Sequence, residues 1–154
     1  MSTSTTDLSV VRKTMTVKAP PERAFDVFTE QMLSWWPVGD YSIGGDKIDR
    51  IVFERHAGGR LYEAHRDGTE ADWAKVLEWE RPSHVKLAWR PASDSAPSGV
   101  TELEVRFRAD GEGTRIELEH RGWEHLGERA AASRASYEGG WDHVLGRYNA
   151  AIDR

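Results

Sequence analysis

Tyr137-Glu-Gly-Gly-Trp141-Asp-His-Val-Leu145-Gly-Arg-Tyr148-Asn-Ala-Ala-Ile152 is the stretch on which the reading of the fold turns. Its large apolar residues, Tyr137, Trp141, Leu145, Tyr148 and Ile152, recur at steps of four, four, three and four. That spacing makes one face of a long amphipathic helix. Gly139 and Gly140 lie inside it, and each costs a helix interior about 0.8–1 kcal/mol relative to alanine. The pair predicts either close packing of the helix on a sheet or room left for a ligand. An apolar helix face needs a partner surface, and the chain upstream reads as the sheet that supplies one.

From Val10 to Ala19 the chain is rich in β-branched residues, and Val11, Met15 and Val17 fall on one face of an extended strand. Pro20-Pro21-Glu22 then opens a helix, because proline is tolerated in a first turn and an acidic group suits the dipole there. Ala24, Phe25, Val27, Phe28 and Met32 give it an apolar stripe, and Pro37 disfavours helical geometry at Trp36, which ends the helical region. Beyond Gly44-Gly45-Asp46, six strands are predicted over 48–55, 59–66, 70–80, 83–91, 99–109 and 113–121, separated by turn sequences such as Ala57-Gly58-Gly59 and Asp67-Gly68-Thr69. Val85, Leu87 and Trp89, then Leu103, Val105 and Phe107, then Ile116, Leu118 and His120 alternate cleanly, as in an antiparallel sheet covered on one side. The 70–80 segment does not, since Trp73, Leu77 and Trp79 oppose Val76; a bulge or two covered faces would account for it. Strands followed by a helix imply an α+β layer fold.

The 154 residues suit one domain with its own core, 10–154, preceded by a disordered N-terminus over 1–9. Without cysteine there is no disulfide, thiolate metal site or cysteine nucleophile. The start lacks the basic and apolar pattern of an export signal and no apolar run reaches membrane-spanning length, so a cytoplasmic protein is expected. With 26 acidic against 21 basic residues the net charge is −5, which argues against nucleic acid as a partner. Seven tryptophans suit a large core or an aromatic-walled cavity.

The element order joins particular motifs: Ala19-Pro20-Pro21-Glu22-Arg23-Ala24-Phe25, Gly58-Gly59-Arg60, the run from Glu70 through Asp72-Trp73, Val76-Leu77 and Trp79-Glu80 to Pro82, His120-x-Gly122-Trp123, and Gly140-Trp141. Over about residues 10–152 the chain resembles the START-like, or Bet v 1-like (SRPBCC), helix-grip superfamily, and within it the branch named after the activator of heat-shock protein 90 ATPase, with its small bacterial single-domain relatives. The resemblance implies a curved antiparallel sheet of six to seven strands wrapped around a long C-terminal helix, two short helices after the first strand, and a cavity between sheet and helix. The eukaryotic activator resembles this chain only in its C-terminal half. The superfamily's cavity hosts ligand carriers, cyclases and interaction domains, so the fold alone does not choose among them.

Alternation and family position together mark Trp36, Phe53, Tyr62, Trp73, Trp89, Phe107, His120, Tyr137 and Trp141 as candidate cavity-lining residues, with Trp35 as a further aromatic. The competing reading is that these rings fill the core. His120 is expected to point inward, either as a hydrogen-bonded core histidine or as a group that orients a ligand. Glu63, Asp72, Glu78, Glu80 and Glu119 read as wet-face carboxylates cross-paired with arginines such as Arg60, Arg106 and Arg115, with Asp72 singled out for its place beside Trp73. The six histidines show no metal-ligand spacing and are expected to be mostly solvated, so neither a metal nor a cofactor is expected, and no catalytic residue is assigned. Gly58-Gly59 and Gly139-Gly140 lack a phosphate-loop pattern.

Three functions remain open: binding of a hydrophobic or amphipathic small molecule in the cavity, a stress-related co-chaperone-like interaction with a chaperone or another protein, and a cyclase- or hydrolase-type enzyme using the same cavity. The expected assembly is a monomer or homodimer, with no membrane association.

Overall fold

A computed structural model describes residues 8–36, 47–89 and 100–152. The expectations for the tail over 1–7, the Gly44-Gly45 turn and the loop after Pro91 lie outside the described residues. The elements are β1 (Val11–Val17), α1 (Pro21–Glu30), α2 (Met32–Trp35), β2 (Ile48–Phe53), β3 (Arg60–His65), β4 (Glu70–Glu80), β5 (His84–Trp89), β6 (Thr101–Asp110), β7 (Gly113–Arg121), a 3-10 segment (Trp123–Arg129) and α3 (Ala130–Ile152).

The seven strands form one curved antiparallel sheet in the order β1-β7-β6-β5-β4-β3-β2. Consecutive strands from β2 to β7 are neighbours, while β1 crosses to the far edge and pairs with β7 from Val11 opposite His120 to Val17 opposite Thr114. The expected helix-grip architecture is therefore present. The irregular 70–80 segment is explained by two bulges in β4. Ala74 pairs with Leu61 and Asp72 with Tyr62, leaving Trp73 as an extra residue, and on the β5 side Leu77 is extra between Val76 and Glu78. Each insertion resets the alternation, so Trp73, Ala74 and Val76 are all buried while Leu77 is exposed.

Pro21 starts α1 with Pro20 extended at its N-cap, and Glu22 sits in the first turn. The helix buries Ala24, Phe25, Val27 and Phe28 on the sheet. Trp36 is extended, as the residue before a proline should be. The α3 helix begins seven residues before Tyr137 and buries Trp141, Val144, Leu145, Tyr148 and Ile152. Polar ties fix its register: Tyr148 donates its hydroxyl to the Ala24 carbonyl at 2.6 Å, Arg147 donates to the Trp35 carbonyl at 2.8 Å, and Arg134 donates to the Ser9 carbonyl at 2.8 Å. Arg81, in the β4–β5 turn, grips Asp26 of α1 through two bonds of 2.8 and 2.7 Å.

Gly139 does not make a close helix-to-sheet approach, one of the two readings of the glycine pair. A Cβ placed there meets no atom within 4 Å, and the residue is exposed. The close approach is made instead by Gly113, where a Cβ would stand 2.2 Å from the Val17 carbonyl oxygen. The contrast gives opposite expectations. Gly113→Ala must push the end of β1 away and should lower unfolding stability by about 1–3 kcal/mol. Gly139→Ala should raise it by about 0.5–1 kcal/mol, because the helix gains propensity at no steric cost. Urea unfolding of the two variants beside the parent chain measures both signs.

Candidate functional site

The inner face of the sheet divides into two ends. At one, α1 and α2 pack down: Phe25 lies 5.0 Å from Trp79 and 5.2 Å from Phe107, Phe28 lies 5.7 Å from Phe107, and Trp35 and Tyr148 pack at 5.2 Å. Phe53 joins this end through Trp79 at 5.6 Å. The aromatic groups here lock the helices to the sheet.

At the other end rings from five elements converge. Trp36, just past α2, stands 4.9 Å from Trp73 of β4, 6.2 Å from Trp89 of β5 and 6.0 Å from Trp141 of α3. Trp89 and Trp141 lie 5.8 Å apart. Beyond them the His120 ring of β7 is 4.2 Å from Trp123 and 5.0 Å from Tyr137. Gly122, with a φ of 89°, turns the chain at the end of β7 so that Trp123 folds back over His120. These rings are at contact separation, so side chains occupy the space between sheet and helix in this state.

His120 is the polar centre of this end, and its hydrogen bonds determine its tautomer. The Trp141 indole donates to Nδ1 at 3.1 Å, so Nδ1 carries no proton. Nε2 must then be the protonated nitrogen, donating to Thr101 Oγ1 at 2.6 Å, while Thr101 donates to the Trp89 carbonyl at 3.1 Å. Burial, helped by the nearby Arg121 charge, lowers the His120 pKa to about 3. The imidazole is thus neutral at physiological pH and serves as a hydrogen-bonding node. Trp123 donates to the His120 carbonyl at 3.0 Å, and Trp89 donates to the Tyr137 hydroxyl at 2.9 Å.

A second polar group was not legible as such from composition. Glu63, expected on the wet face, has no solvent exposure. It lies on the same face of β3 as the fully buried Leu61, accepts the Trp73 indole N–H at 2.7 Å, and faces His65 Nε2 at 2.6 Å. The signal was present as Leu61-x-Glu63-x-His65, but the bulge at Trp73 hid which face of β4 it met.

Of the nine expected lining residues, Trp36, Trp73, Trp89, His120, Tyr137 and Trp141 are brought together. Phe53 and Phe107 stand at the α1 end. Tyr62 alternates with Leu61 onto the outer face, where the Arg60 guanidinium lies 4.0 Å above its ring. Asp72 is on that outer face too, paired with Arg60 at 2.5 Å. Trp123, Thr101, Glu63 and His65 are the site residues that the expectation lacked.

The outer face carries a charge lattice. Glu104 is nearly buried and accepts from His84 at 2.6 Å, Arg106 at 2.9 Å and Arg121 at 3.0 Å. Burial pushes its carboxyl up, but the bonds from His84 and Arg121 outweigh this and leave it below the usual range. Glu78, Glu80 and His84 bring potential ligand atoms within 4.8 Å of one another, but they belong to this lattice, with Lys86 3.8 Å from Glu78. The histidines are thus less solvated than expected, since His120, His65 and His84 are all largely covered.

A curved sheet gripping a long helix over an aromatic-lined interior defines a START-like protein. Residues 18–152 match the family described as Activator of Hsp90 ATPase homolog 1-like protein, and the chain belongs to that family. Among solved structures it is similar to Txn09, an anthrahydroquino-gamma-pyrone synthase, at 34% identity over 84% of this chain and 86% of that one, with a TM-score of 0.58. It is also similar to CalC, a self-sacrificing resistance protein from Micromonospora echinospora, at 28% identity over 95% of each chain, with a TM-score of 0.71. The Aha1 dimer from Colwellia psychrerythraea, at 16% identity over 94% of this chain and 96% of that one and a TM-score of 0.67, shares the fold. No curated protein sequence matches significantly.

The depressed His120 pKa has a consequence for stability. An unfolded histidine protonates near 6.5, whereas the folded one resists protonation down to about 3. The contribution is complete above pH 6.5 and is lost as pH falls from there toward 3. Between pH 7 and 4.5 the parent chain should lose on the order of 2–3 kcal/mol more than His120→Gln, which has no group to protonate. Denaturant unfolding of both proteins at the two pH values measures the difference; equal losses would mean that the imidazole is accessible to protons.

Proposed function

We propose that this protein binds a planar aromatic small molecule between its sheet and α3, in the chamber formed by Trp36, Trp73, Trp89, Trp141, Tyr137 and His120. The observation that carries the reading is the position of Trp36. Its indole contacts three other indoles from β4, β5 and α3, yet it belongs to no regular element itself. A flat apolar ligand that displaced this one ring would inherit its contacts without disturbing the sheet or α3. Family membership and the likeness to Txn09, whose description as an anthrahydroquino-gamma-pyrone synthase names a polycyclic aromatic product class, support the same chamber and ligand type. Tyr137 supplies a polar group that can orient a ligand in a mostly apolar pocket, while His120 holds the surrounding indole and threonine in place.

Trp36→Ala tests this directly. Removing the ring should cost about 3–5 kcal/mol of stability and leave an indole-shaped space. Added indole should then raise the melting temperature of the variant while leaving the parent nearly unchanged. For the parent, 1,8-dihydroxyanthraquinone should saturably quench tryptophan fluorescence, and Trp141→Ala should weaken that binding. A Trp36→Ala protein that folds but gains nothing from indole, together with a parent indifferent to the anthraquinone, would leave the rings as core alone.

A further inference from the structure

Glu63 and His65 hold a proton whose location follows from their neighbours. At the surface end, Asp67 accepts both the Thr69 backbone N–H at 2.9 Å and the Thr69 hydroxyl at 2.6 Å. The threonine hydroxyl proton is therefore committed to Asp67, and Thr69 Oγ1 can only accept from His65 Nδ1, 2.8 Å away. With Nδ1 protonated, the 2.6 Å contact between His65 Nε2 and Glu63 Oε2 joins two acceptors unless a further proton lies between them. The Trp73 indole donates to the other oxygen of Glu63, which favours the ionised carboxylate. These bonds fit a carboxylate facing an imidazolium, a form in which a carboxylate can be held at the apolar inner face.

We propose that this couple is a polar anchor at the wall of the aromatic chamber, and that it selects neutral aromatic ligands bearing a hydroxyl or N–H donor while rejecting carboxylate-bearing ones. Trp73 connects the two parts of the site: its indole nitrogen donates to Glu63 and its ring lies 4.9 Å from Trp36, the ring a ligand would replace. A donor carried by a ligand in that place meets a carboxylate oxygen beside the indole, and the charge-assisted bond formed there is among the stronger ones available in a dry site. An anionic ligand meets the same carboxylate as a like charge. The imidazolium offsets this only in part, because its two N–H groups are already directed at Glu63 and Thr69 and give an anionic ligand no hydrogen bond. The anchor rests on the chamber reading given above, whereas the protonation of the couple does not.

Three probes of one shape separate the possibilities: naphthalene, 2-naphthol and 2-naphthoate, titrated into the full chain at neutral pH and followed by tryptophan fluorescence. The anchor predicts that 2-naphthol binds about tenfold more tightly than naphthalene, the value of one such hydrogen bond, and that 2-naphthoate binds most weakly. In Glu63→Gln the hydroxyl preference should shrink to about threefold or less and the rejection of 2-naphthoate should ease. In parallel, nitrogen-15 spectra of histidine-labelled parent protein should show both His65 ring nitrogens protonated at neutral pH, a measurement that needs no ligand and no variant. A neutral His65 with a bare Nε2 would overturn the couple. Equal binding of naphthalene and 2-naphthol, or preferred binding of 2-naphthoate, would overturn the anchor while leaving the chamber standing. If none of the three binds, the chamber reading fails and the anchor with it, and a doubly protonated His65 would then mark a purely structural pair.

Discussion

Each buried indole N–H must find an acceptor in a place with almost no water, and much of the interior is arranged around that requirement. Trp35 reaches the Val27 carbonyl, Trp73 the Glu63 carboxylate, Trp89 the Tyr137 hydroxyl, Trp123 the His120 carbonyl and Trp141 the His120 imidazole. The buried polar residues Glu63, His120 and Thr101 are the counterpart of a tryptophan-rich core. Among the described residues no buried side-chain nitrogen or oxygen lacks a partner. Two of these bonds, from Trp89 of β5 to Tyr137 of α3 and from Trp141 of α3 to His120 of β7, also tie the sheet to the long helix.

The two ends of the inner face use aromatic residues differently. Around Phe25, Phe28, Phe107 and Tyr148 the contacts are ring on ring, and the buried hydroxyls of Tyr148 and Thr29 are spent on the carbonyls of Ala24 and Phe25. Burial holds that phenol protonated far above its ordinary range, so it is a permanent donor. Around Trp36 the rings are interleaved with His120, Thr101 and Glu63, whose acceptors and donors are directional. An apolar end fixes geometry, and a mixed end can discriminate among guests. That division sets the directional polar groups apart from the packing that holds α1 and α3 on the sheet.

The outer face follows another rule. Glu102, Glu104, Glu119, Arg106 and Arg121 cross-pair over β6 and β7, and Arg12 extends the lattice to β1. Exposed pairs of this kind contribute little singly, but a lattice in which Arg121 serves three carboxylates orders the solvent side of the sheet and keeps it from presenting an apolar surface. Asp72, Glu78, Glu80 and Glu119 lie on the wet face, as their strand positions predict. Glu63 does not, because alternation within β3 places that residue with Leu61 and the bulged β4 covers it.

Local pattern was sufficient to determine the strands, the helical region after β1 and the C-terminal helix, in order, though not the 3-10 segment. A period of two in β5, β6 and β7, a period near 3.6 from Tyr137 to Ile152, and proline and glycine at the joints are all properties of neighbours in the chain, and so are visible along it. The inward direction of His120, Trp89 and Trp141 followed from the same periodicities. What only the tertiary structure decided was anything that depended on register between strands or on two bulges. The exile of Tyr62 to the outer face, the burial of Glu63 beside His65, the meeting of Trp36 with indoles of β4, β5 and α3, and the assignment of tight packing to Gly113 in place of Gly139 all belong to this class. One inserted residue in a strand exchanges its inner and outer faces, and no local pattern records which partner residue it will oppose.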